Sequence, residues 1–135
     1  MLLALLDPDH ARCEQVTKWF DSARGGWATC PITQNGFVRI ASQPGYSNPV
    51  PVALAVDLLR QATMQGSHEF WSCDVAVTDP TQIDTGQVLG SAQLTDAYLL
   101  ALVVAHGGRF VTLDRRIRAA AVPAAQRDQL VVVGE

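Results

Sequence analysis

Between Arg60 and Arg109 the chain has no lysine or arginine, although Glu69, Asp74, Asp79, Asp84 and Asp96 all fall there. Half of the ten basic residues, Arg109, Arg115, Arg116, Arg118 and Arg127, follow that gap, and the net charge is −3. Such a balance excludes a general basic coat for nucleic acid. It favours a local basic patch beside an acidic site, which suits a metal enzyme acting on a polyanion. The plainer alternative makes Arg115, Arg116 and Arg118 a solvated helix face. Cysteine is scarce and odd in number: Cys13, Cys30 and Cys73 form no CxxC pair and no zinc pattern, so they read as reduced thiols. His10, His68 and His106 show no HExxH or HxxxH spacing and read as structural or exposed. No GxSxG, phosphate-binding glycine loop or Cys/His nucleophile arrangement is present, which argues against a serine hydrolase or phosphatase. Apolar runs fall well short of the ~20 residues that span a bilayer. Met1 to Leu6 is apolar but meets Asp7 and Asp9 at once, without a basic start or a cleavage site, so it does not read as a signal peptide. The expectation is a cytoplasmic protein.

What is present fits one globular domain over residues 1–135. The chain is 48% hydrophobic and 17% charged, long enough to bury a core and too apolar to be disordered. Val16, Trp19, Phe20 and Ala23 recur at helical steps within residues 10–23, after the break at Asp7-Pro8-Asp9. Trp27 to Cys30 reads as a short strand closed by Pro31. The segment Ile32 to Ile40 is ambiguous, because Pro31 or Thr33 can open a helix that Gly36 weakens. Residues 42–51, rich in proline and glycine, read as a loop, and Val52 to Gln65 as an amphipathic helix. Phe70-Trp71 and Val75 to Val77 read as strand fragments, Thr78 to Gly90 as a polar loop, and Leu130 to Val133 as a last apolar strand. Helices alternating with short buried strands predict a three-layer α/β domain with a central parallel sheet flanked by helices.

The densest signal is Thr95-Asp96-Ala97-Tyr98-Leu99-Leu100-Ala101-Leu102, then Gly107-Gly108-Arg109-Phe110-Val111-Thr112-Leu113-Asp114. Leu94, Ala97, Ala101 and Val104 set a helical period, and the intervening leucines and valines make nearly every face apolar. Gly107 and Gly108 end the helix, and Phe110 to Leu113 reads as a strand. One acid stands at the start of the helix and one at the carboxyl end of the strand, where sites form in open parallel sheets. Asp96 and Asp114 are therefore the candidate ligands of a hard divalent cation. The bland alternative makes Asp96 a helix cap and Asp114 the start of a turn.

Trp27-Ala28-Thr29-Cys30-Pro31-Ile32-Thr33-Gln34, the Thr95 to Leu102 segment, His106-Gly107-Gly108 and Thr112-Leu113-Asp114-Arg115 together resemble PIN-domain ribonucleases, in particular the VapC toxin branch of type II toxin–antitoxin systems. Leu5 to His10 and the helix ending Trp19-Phe20 match that branch too, so the likeness covers nearly the whole chain in order. It implies a Mg²⁺- or Mn²⁺-dependent endoribonuclease, usually a homodimer, neutralised by a VapB-like antitoxin in its groove. The family's acids fall on Asp96 and Asp114, with Thr112 as a hydroxyl partner and Arg115, Arg116 and Arg118 placed to hold the RNA backbone. Two departures follow from the same likeness. Gln34 stands where many members carry a metal-binding glutamate. The family's opening strand, with its Asp-x-Asn acid, has no counterpart before Met1. A late start, an inactive toxin or a partner-supplied strand would each account for that, and the first fits the otherwise well-kept motifs. The competing expectation is a catalytically impaired PIN-like domain that keeps its binding surfaces.

Overall fold

Residues 31–42 do form a helix, which settles the ambiguity of the Ile32 to Ile40 segment. A computed structural model describes residues 1–134. The chain divides into two compact units, Met1–Cys73 and Asp74–Glu135. Each is α/β, with helices and one parallel pair of three-residue strands.

The first unit contains α1 (Leu2–Leu6), α2 (Cys13–Ser22), β1 (Trp27–Thr29), α3 (Pro31–Ser42), α4 (Val52–Thr63) and β2 (His68–Phe70). Pro31 takes the first helical position of α3, where its missing N–H costs nothing and its φ is preset. The Thr33 hydroxyl accepts the Cys30 N–H at 2.9 Å and donates to the Cys30 carbonyl at 3.1 Å, fixing the helix start. Gly36 weakens α3 by about 1 kcal/mol relative to alanine. Burial of Phe37 and Ala41 against Ala55 and Leu59 of α4 outweighs that cost, and Leu2, Leu3 and Leu6 of α1 close over the same cluster.

Pro8 stops α1, and Asp7 is then held by the Tyr46 hydroxyl, which donates to its carboxylate at 2.5 Å. Burial, and then the Asp7 carboxylate, push the Tyr46 hydroxyl up to about 12.

Strand β1 runs parallel to β2 with Trp27 opposite His68 and Thr29 opposite Phe70. The Trp27 N–H donates to the Ser67 carbonyl at 3.0 Å. Gly26, just before, leaves no room for a side chain, because a Cβ there would lie 2.7 Å from the Ser67 carbonyl oxygen.

The second unit contains α5 (Leu94–Ala105), β3 (Phe110–Thr112) and β4 (Leu130–Val132), with single 3-10 turns at Thr85–Gln87, Ser91–Gln93, Ala119–Ala121 and Arg127–Gln129. Ala97, Leu100, Ala101, Leu102 and Val103 of α5 are all buried, as expected of a helix apolar on almost every face. Gly107, at φ +66°, supplies the left-handed turn after it. β3 and β4 are parallel, with Phe110 opposite Leu130 and Thr112 opposite Val132.

Two sequence expectations need correction. Val75 to Val77 is not a strand. Its backbone bonds to side chains instead of a ladder: the Tyr98 hydroxyl donates to the Val75 carbonyl at 2.8 Å, and the Ala76 N–H donates to Gln82 Oε1 at 3.0 Å. Residues 115–118 are not a helix either, so the three arginines are no helix face.

Candidate active site

Asp96 is the third residue of α5, so its carboxylate lies in the first turn, where the helix dipole favours negative charge. It does not cap the helix: the residue before α5 is Gln93, and no side chain caps that end. The Asp96 carboxylate is not clasped by a guanidinium as Asp114 is, and positive charge, that of Arg116 included, reaches it only through space. Burial and then the charge of Asp114 raise its pKa from the usual 3.8, and Arg116 only partly opposes them.

Asp114 lies two residues beyond β3. The buried Thr112 hydroxyl does not touch its carboxylate but accepts the Asp114 N–H at 3.0 Å, fixing the chain as it leaves the strand. The carboxylate opens a turn by accepting the Arg116 N–H at 2.8 Å. It is also clasped by the Arg116 guanidinium, with Nε on one oxygen at 3.0 Å and Nη2 on the other at 2.8 Å. These bonds hold its pKa down at about 2. The bland reading of Asp114 as a turn residue is therefore part of the truth, while that of Asp96 as a cap is not.

Both acids line one cleft of about 130 Å³, together with Arg116, Arg118 and a wall that includes Gln87 and Gln93. Arg115 instead donates to the Gly134 carbonyl at 3.1 Å. The wall carrying Gln87 and Val88 is the part that sequence reading missed, since Thr78 to Gly90 read as a polar loop. Its signal lay in Asp84-Thr85-Gly86, where the Asp84 side chain accepts the Gly86 N–H at 3.0 Å and folds a turn.

Gln34 belongs to the first unit, in the opening turns of α3. Its Nε2 donates to the buried Thr29 hydroxyl at 3.0 Å, and that hydroxyl lies 2.8 Å from His68 Nε2. Burial lowers the His68 pKa, so the imidazole is neutral and Thr29 can donate to it. His68 also packs edge-on against Trp27 with ring centres 4.6 Å apart. His106 lies 3.5 Å from the Asp74 carboxylate, and His10 Nδ1 accepts the Arg12 N–H at 3.0 Å.

Among the described residues no three histidines, cysteines or acids gather as a metal-holding group. Two carboxylates are present in the cleft. That oxygen set fits Mg²⁺ or Mn²⁺, which are commonly held by one or two carboxylates with waters and substrate phosphate completing the shell. The class defined is thus an α/β protein with an acid pair at a helix start and a strand end.

Comparison with known proteins narrows that class. The chain is 52% identical over 134 residues to ribonuclease VapC44 of Mycobacterium tuberculosis, covering 98% of this chain and 94% of that protein. Ribonuclease VapC39 of the same organism is 35% identical over 116 residues, 84% of each chain. Ribonuclease VapC38 is 36% identical over 115 residues, 84% of this chain and 79% of its own. No protein-family model matches the chain, and no solved structure matches it significantly. The chain belongs to the VapC family of PIN-domain ribonucleases. No helix among the described residues is long and apolar enough to cross a membrane.

Proposed function

We propose that this protein is a Mg²⁺- or Mn²⁺-dependent endoribonuclease toxin that cleaves RNA phosphodiester bonds, works as a homodimer in the cytoplasm and is neutralised by a VapB-like antitoxin. The single observation that carries the reading is the half-buried Asp96 carboxylate in one cleft with Asp114, in a chain so similar to ribonuclease VapC44. Two negative groups in a partly dry cleft repel one another, and a cation relieves that repulsion. Asp96 and Asp114 would hold the ion. When bound, it would lower the pKa of a water and neutralise charge on the phosphate oxygens.

The remaining work falls to the chain. Asp114 stays ionised at any physiological pH, since its pKa is held at about 2. Thr112 fixes the backbone that carries Asp114. Arg116 and Arg118 offer cationic walls to an RNA backbone in the same cleft, contacts that position the strand without reading its sequence.

The test is cleavage of RNA in Mg²⁺ by the wild type beside Asp96→Asn and Asp114→Asn. Loss of a direct ligand should slow cleavage by at least about a hundredfold in either variant. Cleavage at the wild-type rate by both variants would overturn the assignment.

A second reading, a binding-only PIN-like domain, is favoured by the neutral Gln34 and by the lack of a third acid in the cleft among the described residues. Calorimetric titration with Mn²⁺ separates the two: the nuclease reading expects saturable binding that Asp96→Asn abolishes, and the binding-only reading expects none.

A further inference from the structure

We propose that Arg116 is a built-in competitor for the divalent cation: it occupies Asp114 while the metal seat is empty and moves to a substrate phosphate when an ion arrives. The inference rests on the metal-site reading above and deepens it. Arg116 engages both oxygens of Asp114 through Nε and Nη2, and its own N–H takes one of them again. Asp114 could help hold an ion only through one of those oxygens. Asp96 is left with no such occupant. Arg116 thus hydrogen-bonds one acid of the cleft and acts on the other only through its charge.

The clasp is built to be released. The Arg116 side chain is 86% exposed and that of Asp114 33%, so water can take up the guanidinium when an incoming dication displaces it. The turn bond from the Arg116 N–H to Asp114 keeps the backbone in place when the guanidinium leaves. Once released, the guanidinium stays beside the cleft it lines, and its planar fork matches phosphate as well as carboxylate. Neither neighbouring arginine can play this part. Arg115 is committed to the Gly134 carbonyl, and no hydrogen bond among the described residues joins Arg118 to either acid. Metal and RNA binding therefore reinforce each other through one side chain.

The test measures Mn²⁺ affinity calorimetrically on the full chain, without substrate, in the wild type, Arg116→Gln, Arg116→Lys, Arg118→Gln and Asp96→Asn. Arg116→Gln should bind Mn²⁺ roughly two- to fivefold more tightly than wild type, the scale of an exposed pair. Arg116→Lys keeps the charge but loses the fork, and it should gain affinity too. Arg118→Gln should gain less than Arg116→Gln. If Arg116→Lys equals wild type, or Arg118→Gln gains as much as Arg116→Gln, the effect is only long-range charge and the inference fails while the metal site stands. If Mn²⁺ does not bind the wild type, or binds Asp96→Asn equally, the metal-site reading fails first. In a second arm, Mn²⁺ should tighten binding of a short single-stranded DNA, read by fluorescence anisotropy, and Arg116→Gln should shrink that gain. An undiminished gain overturns the transfer of Arg116 to phosphate.

Discussion

Asp96 and Asp114 share a cleft, but their environments push them in opposite directions, and substitution should expose the difference. Without metal, Asp96→Asn removes a half-buried charge that burial and Asp114 disfavour, so it should raise the thermal midpoint near neutral pH while abolishing cleavage. The folded pKa of Asp96 is raised. Its penalty therefore opens as pH climbs past the ordinary 3.8 and is complete above the raised value, and the advantage of the variant should follow that course in thermal melts. Asp114→Asn should lower the midpoint only slightly, since the Arg116 clasp it breaks is open to water. The folded value of Asp114, about 2, lies below 3.8, so its contribution is full above about pH 4 and fades toward pH 2. Wild-type and Asp114→Asn melting curves should converge over that window. The placement of both acids was legible in the sequence, because a helix start and a strand end are fixed by periodicity and by glycine. The clasp was not legible. It joins residues two apart in a turn, a geometry that neither helical nor strand spacing reports, and the run from Arg115 to Arg118 suggested a helix instead.

At the scale of elements, the long apolar periods read correctly, and so did the short runs at Trp27, Phe110 and Leu130, while Val75 to Val77 did not. Helices α4 and α5 were legible from their stripes, and α3 resolved once Pro31, Thr33 and the core side of Phe37 were weighed against Gly36. The segment Val75 to Val77 misled because three apolar residues look alike whether their backbone pairs with a strand or with side chains such as Tyr98 and Gln82. Leu100 is fully buried in α5, and Leu100→Ala should cost about 2–5 kcal/mol in chemical denaturation. Thr33→Val keeps the shape but removes the bond to the Cys30 N–H, and should cost about 1 kcal/mol by the same measurement.

For the molecule as a whole, the uneven charge sets how it meets RNA. Net charge is −3, and the cations of the cleft are few, so RNA affinity should depend only modestly on salt. Two or three arginine–phosphate contacts predict a slope of log affinity against log salt of roughly −1.5 to −2, and Arg118→Gln should flatten it by about 0.7. A filter-binding series at several ionic strengths checks both. A much steeper slope would place additional phosphate contacts outside the cleft. Composition alone excluded a broad basic coat, but it could not locate the cations, because distance along the chain is a poor guide once Arg115 turns to Gly134 and Arg116 to Asp114.

The crowding at Gly26 reaches further than its surface position suggests. With the Ser67 carbonyl 2.7 Å from where a methyl group would begin, even alanine must push one backbone away from the other. The disturbance would be felt three residues on, at the hydroxyl that Gln34 and His68 share. A residue with no side chain thus acts as the alignment gauge for a polar junction it never touches.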